Sequence, residues 1–198
     1  MTNNMMKTMR YVSKHGIVRP RDLETLGIPR EYLLRLYRRG KLSRSGRGIY
    51  TLPDASITER HSYAEVAKRV PGAVLCLLSA LAFHEITTQN PVSIWIALAK
   101  GARKPALESN SLRIVRLSKP SLTEGIETHR VEGVSVRVYS AAKTVADCFK
   151  FRNKIGLDVA IEALRDSLSQ RKASINDIYR YAKICRVSNV IRPYMEAI

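Results

Sequence analysis

The chain has 198 residues, enough for one or two domains. Apolar residues make up 45% and charged residues 26%, which excludes a chain too polar to bury a core. It carries 34 Lys and Arg against 17 Asp and Glu, a formal net charge of +17, so nucleic acid is the expected polyanionic partner, although charge alone would also attract an acidic protein or an anionic membrane.

Residues 1–55 hold 12 of the basic residues and 4 of the acidic ones, so they contribute +8 of the total. Met5, Met9 and Val12 at helical spacing predict a first helix over about residues 4–14, ended by Gly16. Ile17-Val18 reads as a short extended link. Pro20 suits the first turn of a second helix, which carries Asp22, Leu23 and Leu26 and stops at Gly27. Pro29 opens a third helix to about Arg39, with Gly40 as its stop. Leu33, Leu36 and Tyr37 are expected to face inward; Arg30, Glu31, Leu34, Arg35 and Arg38 face outward. Leu42 then begins a strand, Ser45 and Gly46 form a turn, and Ile49, Tyr50 and Leu52 return, with Arg44 and Arg47 flanking the tip.

Helix, turn, basic helix and basic hairpin in that order predict a winged helix-turn-helix that binds duplex DNA. The expected DNA contacts are Arg19, Arg21, Arg30, Arg35, Arg38, Arg39, Lys41, Arg44 and Arg47. Most should be phosphate clamps, because base-reading side chains are few in such domains.

A hinge at residues 53–58 separates this module, residues 1–55, from a second, residues 56–198. Residues 60–70 predict a helix closed by Pro71-Gly72. The apolar run from Val74 to Phe83 predicts a buried helix with His84 at its polar end, read as a capping or packing histidine. Residues 92–98 predict an interior strand with Trp95 in the core or in an apolar interface. Residues 101–109 read as a basic loop, and 112–117 as a strand. Residues 127–131 and 134–139 predict a hairpin through Glu132-Gly133. Ser140 is a good N-cap for the helix that follows, 157–168 and 174–183 predict amphipathic helices, and the last segment predicts a helix interrupted at Pro193. The fold class is therefore α+β: the winged module, then an α+β domain with a small antiparallel or mixed sheet and C-terminal helices.

The search for chemistry returns little. There is no Walker loop, dinucleotide loop, HExxH or nucleophile elbow. Cys76, Cys148 and Cys185 are too far apart for a metal motif and are expected to be buried thiols. Lys143 and Asp147, one helical turn apart, are expected to form a structural pair. Glu85, Lys100, Glu108 and Glu127 are too loosely spaced to argue for a metal site. No enzyme activity, metal or cofactor is expected. No signal-peptide core and no 18-residue apolar run occurs, so a reducing cytoplasmic setting without a membrane anchor is expected.

Four segments together resemble AbiEi-type antitoxins of type IV toxin–antitoxin (abortive infection) systems, described as transcriptional regulators of viral defence. They are LLRLYRRGKLSRSGRGIYTLP at 33–53, LSALAFHEIT at 78–87, VEGVSVRVYSAAKTVADCFKFRNKIGLDVAIEAL at 131–164 and CRVSNVIRPYMEAI at the C-terminus. The resemblance implies that the N-terminal module binds inverted repeats in promoter DNA and represses its own operon. It implies that the second domain is the antitoxin part, opposing a nucleotidyltransferase-like toxin with or without a direct complex. With no coiled coil or long dimerisation helix in view, a monomer or weak dimer is expected free in solution, with two copies on the operator. Two other readings stay open here: a regulator whose second domain senses a ligand or partner, and a nuclease or modification enzyme delivered to DNA.

Overall fold

The structure, a computed structural model, describes residues 3–46, 48–55, 58–89, 91–105 and 112–198. Arg47, Glu108 and the Ser56-Ile57 part of the expected hinge lie outside the described residues. The chain divides into two compact units, Met1–Pro71 with Arg130–Val136, and Gly72–His129 with Arg137–Ile198. Among the described residues no helix is long and apolar enough to cross a membrane.

The first unit contains α1 (Asn3–His15), α2 (Pro20–Glu24), α3 (Glu31–Arg38), the hairpin β1 (Ser43–Gly46) and β2 (Ile49–Thr51), and α4 (His61–Arg69). Its core gathers Met5, Val12, Val18, Leu23, Ile28, Leu33, Leu36, Leu42 and Tyr50, the inward positions of three short helices and the hairpin. Thr8 is buried beside Met5 and Val12. Its hydroxyl donates to the Asn4 carbonyl at 2.8 Å, so it enters the core without an unsatisfied polar group. The link after α1 is a strand position: Val18 and Tyr50 exchange backbone hydrogen bonds, each 2.9 Å. That pair ties the stretch between α1 and α2 to the hairpin and gives it a third edge.

Gly16 ends α1 at φ +65, where a side chain would be strained. A Cβ there would overlap the Glu132 carbonyl oxygen, and one on Gly133 would stand 2.8 Å from the His15 carbonyl carbon. The end of α1 and the Glu132-Gly133 turn therefore meet backbone to backbone. Both turn residues have positive φ, +49 and +78, as a two-residue hairpin turn matched to strand twist requires. The Glu132 carboxylate is held in turn: the Thr58 backbone N–H and hydroxyl each donate to Oε1 at 2.8 Å, and His61 Nδ1 lies 2.6 Å from Oε2. Burial alone would raise this carboxyl, but the hydrogen bonds from Thr58 and His61 hold it below the usual range.

The second unit adds β3 (Val74–Leu75), α5 (Leu77–Phe83), β4 (Ile94–Ala99), β5 (Leu112–Leu117), α6 (Lys119–Thr123), β6 (Ile126–Val131), β7 (Val134–Tyr139), α7 (Ala141–Lys150), α8 (Arg152–Ile155), α9 (Leu157–Ser169), α10 (Ile175–Cys185) and α11 (Ser188–Glu196). The far end of the β6–β7 hairpin counts with the first unit. The strand order is β5-β4-β3-β7-β6. The sheet is mixed: β4 runs parallel to β5 from Ile94↔Leu112 to Ala99↔Leu117, β3 is antiparallel to β4, and β3 is parallel to β7 through Leu75↔Val138.

Helix α7 forms the centre of the second core, with residues 141–149 all buried. Ser140 starts it, its hydroxyl accepting the Lys143 amide at 3.3 Å. Two charges are carried inside. Lys143 and Asp147 are 0% and 1% exposed, and Lys143 Nζ lies 2.5 Å from Asp147 Oδ2. The second carboxylate oxygen accepts the Cys185 thiol at 3.2 Å, and the ammonium stands 4.2 Å from the Tyr139 ring centroid. Gly125, at φ +71, makes room for the lysine stem, since a Cβ there would come within 2.8 Å of Lys143 Cβ. Fully dry charges are tolerated only when each finds such partners.

Four sequence expectations need correction. Val74-Leu75 is a strand, and the buried helix begins at Leu77; a short apolar run carries no periodicity that separates the two. Tyr37 is 41% exposed and packs edge-on against Tyr50, ring centroids 6.3 Å apart, so the buried positions of α3 are Leu33 and Leu36, with the half-buried Tyr32 beside them. Ser45 and Gly46 belong to β1, whose register shifts between Arg44↔Tyr50 and Gly46↔Ile49; the extra residue is absorbed as a bulge rather than a turn. Helix α11 runs through Pro193. The carbonyl that loses its partner there belongs to the exposed Asn189, so it is not left in a dry interior.

Two stability measurements follow. Lys143→Met should cost about 3–5 kcal/mol in urea unfolding, because it leaves Asp147 charged and buried, whereas adding Asp147→Leu should recover most of that loss. Glu132 has a depressed folded pKa, so its contribution is complete above the usual carboxylate range and is lost as pH falls through the folded value. Stability curves of Glu132→Gln and the parent should therefore differ at neutral pH and converge in acid below the usual carboxylate range; a constant offset at all pH would contradict this.

Candidate nucleic-acid interface

Helix α3 presents Glu31, Leu34, Arg35 and Arg38 at helical spacing, all exposed, opposite the buried Leu33 and Leu36. Arg30 precedes it and Arg39 and Lys41 follow it, exposed as well. The helix stops because Gly40 takes φ +66, letting its N–H reach the Tyr37 carbonyl at 2.9 Å and the Lys41 N–H reach Leu36 at 3.0 Å. Five cations are thus on or beside one short helix, with Glu31 the one acid in its first turn. Arg35 Nη2 pairs with Glu31 at 2.9 Å and the guanidinium stands 5.2 Å from the Tyr32 ring. Both partners are solvent-exposed, so exchanging that contact for another anion costs only about 0.3–0.5 kcal/mol. Arg39 reaches back to Met5, Nη1 to Sδ 3.6 Å.

The remaining expected residues divide. Arg21 and Arg44 are exposed. Arg44 sits within β1, paired with Tyr50 rather than at the tip, and its Nε–H donates to the Gly46 carbonyl at 3.2 Å. Arg19 is turned inward. Its backbone N–H donates to Asp22 Oδ2 at 2.8 Å, its guanidinium meets Oδ1 at 3.2 Å, and its Nε is buried without a partner. Arg19 thus serves the start of α2 instead of the exposed face. Lys68 from α4 joins from the other direction, Nζ 3.0 Å from Asp22 Oδ2. Burial opposes ionisation of Asp22, but the Arg19 amide, Lys68 and the Arg19 guanidinium hold its carboxyl below the usual range. Arg47 lies outside the described residues.

Helix α4 is the element that sequence reasoning left out of this face. Its Glu65 Oε1 accepts the Ser45 hydroxyl of β1 at 2.5 Å and lies 3.7 Å from His61 Nε2. Arg69 lies against Gly46 of the hairpin. The available signal was the outward pattern His61, Glu65, Lys68, Arg69 on one helix, which nothing in the sequence linked to a hairpin fifteen or more residues earlier.

His84 and the three cysteines of the second unit have structural surroundings. His84 caps the end of α5; a carbonyl can only accept, so its Nε2–H donates to Tyr139 O at 2.7 Å. Burial lowers its pKa, which keeps the ring neutral. Burial and the nearby Asp147 charge push the Cys185 thiol up to about 12 and raise Cys76 and Cys148 as well, so all three are unreactive as nucleophiles. Among the described residues no three His, Cys, Asp or Glu side chains are grouped to hold a metal ion.

Comparison with known proteins adds two findings. The family described as "Transcriptional regulator, AbiEi antitoxin" matches residues 7–53, from within α1 to just past the β1–β2 hairpin. That stretch is therefore similar to a class of transcriptional regulators. Over the whole chain, the crystal structure of RV2827C protein from Mycobacterium tuberculosis has a similar fold, with TM-score 0.56, 14% identity, and 92% of this chain and 72% of that chain covered. No curated protein matches the sequence.

The inward and outward cations should separate cleanly in unfolding experiments. Arg35→Ala, which breaks only an exposed pair, should change stability by less than about 0.5 kcal/mol. Asp22→Asn should cost about 1–3 kcal/mol, because it leaves Arg19 and Lys68 half-buried and facing each other.

Proposed function

We propose that the first unit is a winged helix-turn-helix that binds duplex DNA, and that the protein is a transcriptional regulator which represses its own operon. In this reading α2 and α3 are the helix-turn-helix, α3 enters the major groove, and the β1–β2 hairpin is the wing. The observation that carries it is the Val18–Tyr50 backbone pair, which joins the α1–α2 link to the hairpin and gives the three-helix, three-edge arrangement of that motif. The exposed Arg35 and Arg38 on α3 supply base or phosphate contacts, and Arg21, Arg30, Arg39, Lys41 and Arg44 supply phosphate contacts. The family match over residues 7–53 supports the same assignment.

We further propose an antitoxin role for the second unit, opposing a nucleotidyltransferase-like toxin of a type IV system. Its support is the resemblance of the segments at 78–87 and 131–164; the family match lies in the first unit, at residues 7–53. Two copies act on an inverted repeat, since one short recognition helix reads too few base pairs to select an operator alone.

The test is anisotropy binding of the parent protein to duplex DNA from upstream of its own gene and to mixed-sequence duplex, over a salt series. Preference for the upstream DNA is expected, with affinity falling steeply with salt by about 0.9 log units per log unit for each phosphate contact. Arg35→Ala should lose about 1–3 kcal/mol of that preference if Arg35 meets a guanine. Equal, weak affinity for both duplexes would refute the regulator reading. Co-expression with the neighbouring gene product tests the antitoxin half: a product that is not toxic, or whose toxicity this protein leaves untouched, refutes it.

A further inference from the structure

One glycine in the hairpin is approached by two guanidinium groups. Arg44 donates Nε–H to the Gly46 carbonyl at 3.2 Å. Arg69, in the last turn of α4, lies against the Gly46 Cα: a Cβ built there would overlap Nη2 and stand 3.3 Å from Cζ and 3.9 Å from Nη1. Only a residue without a side chain leaves that space to the arginine.

Neither cation has a carboxylate partner among the described residues. Glu65 is the acid nearest in sequence to Arg69, one helical turn earlier, and it is occupied by the Ser45 hydroxyl and faces His61. Arg69 Nε is buried and unpartnered, although the fork carries five donors that cannot be neutralised by deprotonation. Two like charges on one short stretch of backbone repel each other, and without a counter-ion the arrangement is unfavourable. A tetrahedral oxyanion between them removes the repulsion and gives both forks acceptors in the geometry they match best. The bulge between Arg44 and Gly46 bends the strand locally at this point.

We propose that Arg44, Gly46 and Arg69 form a clamp for one phosphodiester group of duplex DNA, with α4 supplying half of the grip on the wing. The inference rests on the DNA-binding reading above. It adds to that reading a residue from a helix beyond residues 7–53, the stretch similar to known regulators. Glu65 is then a positioning residue, since its bond to Ser45 fixes the strand that carries Gly46.

The experiment is a salt series of binding to mixed-sequence DNA duplex by the full chain and its variants Arg69→Gln, Arg69→Lys and Gly46→Ala. Arg69→Gln should weaken binding several-fold and lower the salt slope by about one unit, the signature of one lost phosphate contact. Arg69→Lys should keep the slope and lose part of the affinity, because it retains the charge without the fork. Gly46→Ala should reproduce the Arg69→Gln slope with an unchanged unfolding midpoint, because its methyl meets only the far end of the Arg69 side chain and no backbone. Combining the two should be no worse than either alone. An unchanged slope in Arg69→Gln, or a loss of affinity explained by a lowered unfolding midpoint, overturns the clamp. Absence of duplex binding by the parent protein overturns instead the DNA reading on which the clamp rests.

Discussion

Carboxylates are outnumbered two to one in this chain, 17 against 34 lysines and arginines, and several of them are turned inward. Asp22 holds Arg19 and Lys68, Glu132 holds Thr58 and His61, Glu65 holds Ser45, and Asp147 holds Lys143 and Cys185. Each joins segments that share no local reason to meet. Asp147 in this way satisfies fully buried donors and Asp22 half-buried ones, and loss of either would leave those donors desolvated without a partner. The consequence outside is that the cations of α3 and the hairpin are left with few counter-charges. Arg35 has Glu31; Arg44 and Arg69 have a glycine between them. The same scarcity that orders the interior leaves the surface electropositive.

The first unit also depends on close backbone approach. Gly16 and Gly133 allow the end of α1 and a two-residue turn, more than one hundred residues apart in sequence, to meet without side chains between them. The His61 and Thr58 bonds to Glu132 surround that contact with charge-assisted hydrogen bonds. A fragment that stops at residue 55 would lack α4 and this turn, and with them the partners of Asp22, Ser45 and Gly16. Small units with little core lean heavily on such contacts.

The second unit is built around α7, a helix with no solvent face along nine residues. A helix so enclosed is usually apolar throughout. Here two of its positions are a lysine and an aspartate one turn apart, and the packing around them, Tyr139, Cys185 and Gly125, is shaped to the pair. That fits a structural device holding α10 against α7 through the Cys185–Asp147 bond, and the three cysteines around it are kept protonated by burial.

The sequence by itself determined the local elements wherever a strong signal was present. Gly16, Gly27 and Gly40 mark the turns of the first unit, alternation in 134–139 marks β7, and Ser140 and Ser174 mark helix starts, because these depend on backbone freedom and capping within a few residues. The α+β class and the outward arginines of α3 follow from the same periodicity, and of the segments that carry the resemblance the one at 33–53 lies within the stretch similar to known regulators. Only the tertiary structure decided what distant partners impose. Val74-Leu75 became a strand because β4 and β7 flank it. Arg19 turned from the surface to Asp22, the Lys143–Asp147 pair proved dry, and α4 joined the hairpin. Those outcomes rest on pairings between residues far apart in the chain, and no local pattern of side chains encodes which far residue arrives to complete a hydrogen bond or neutralise a charge.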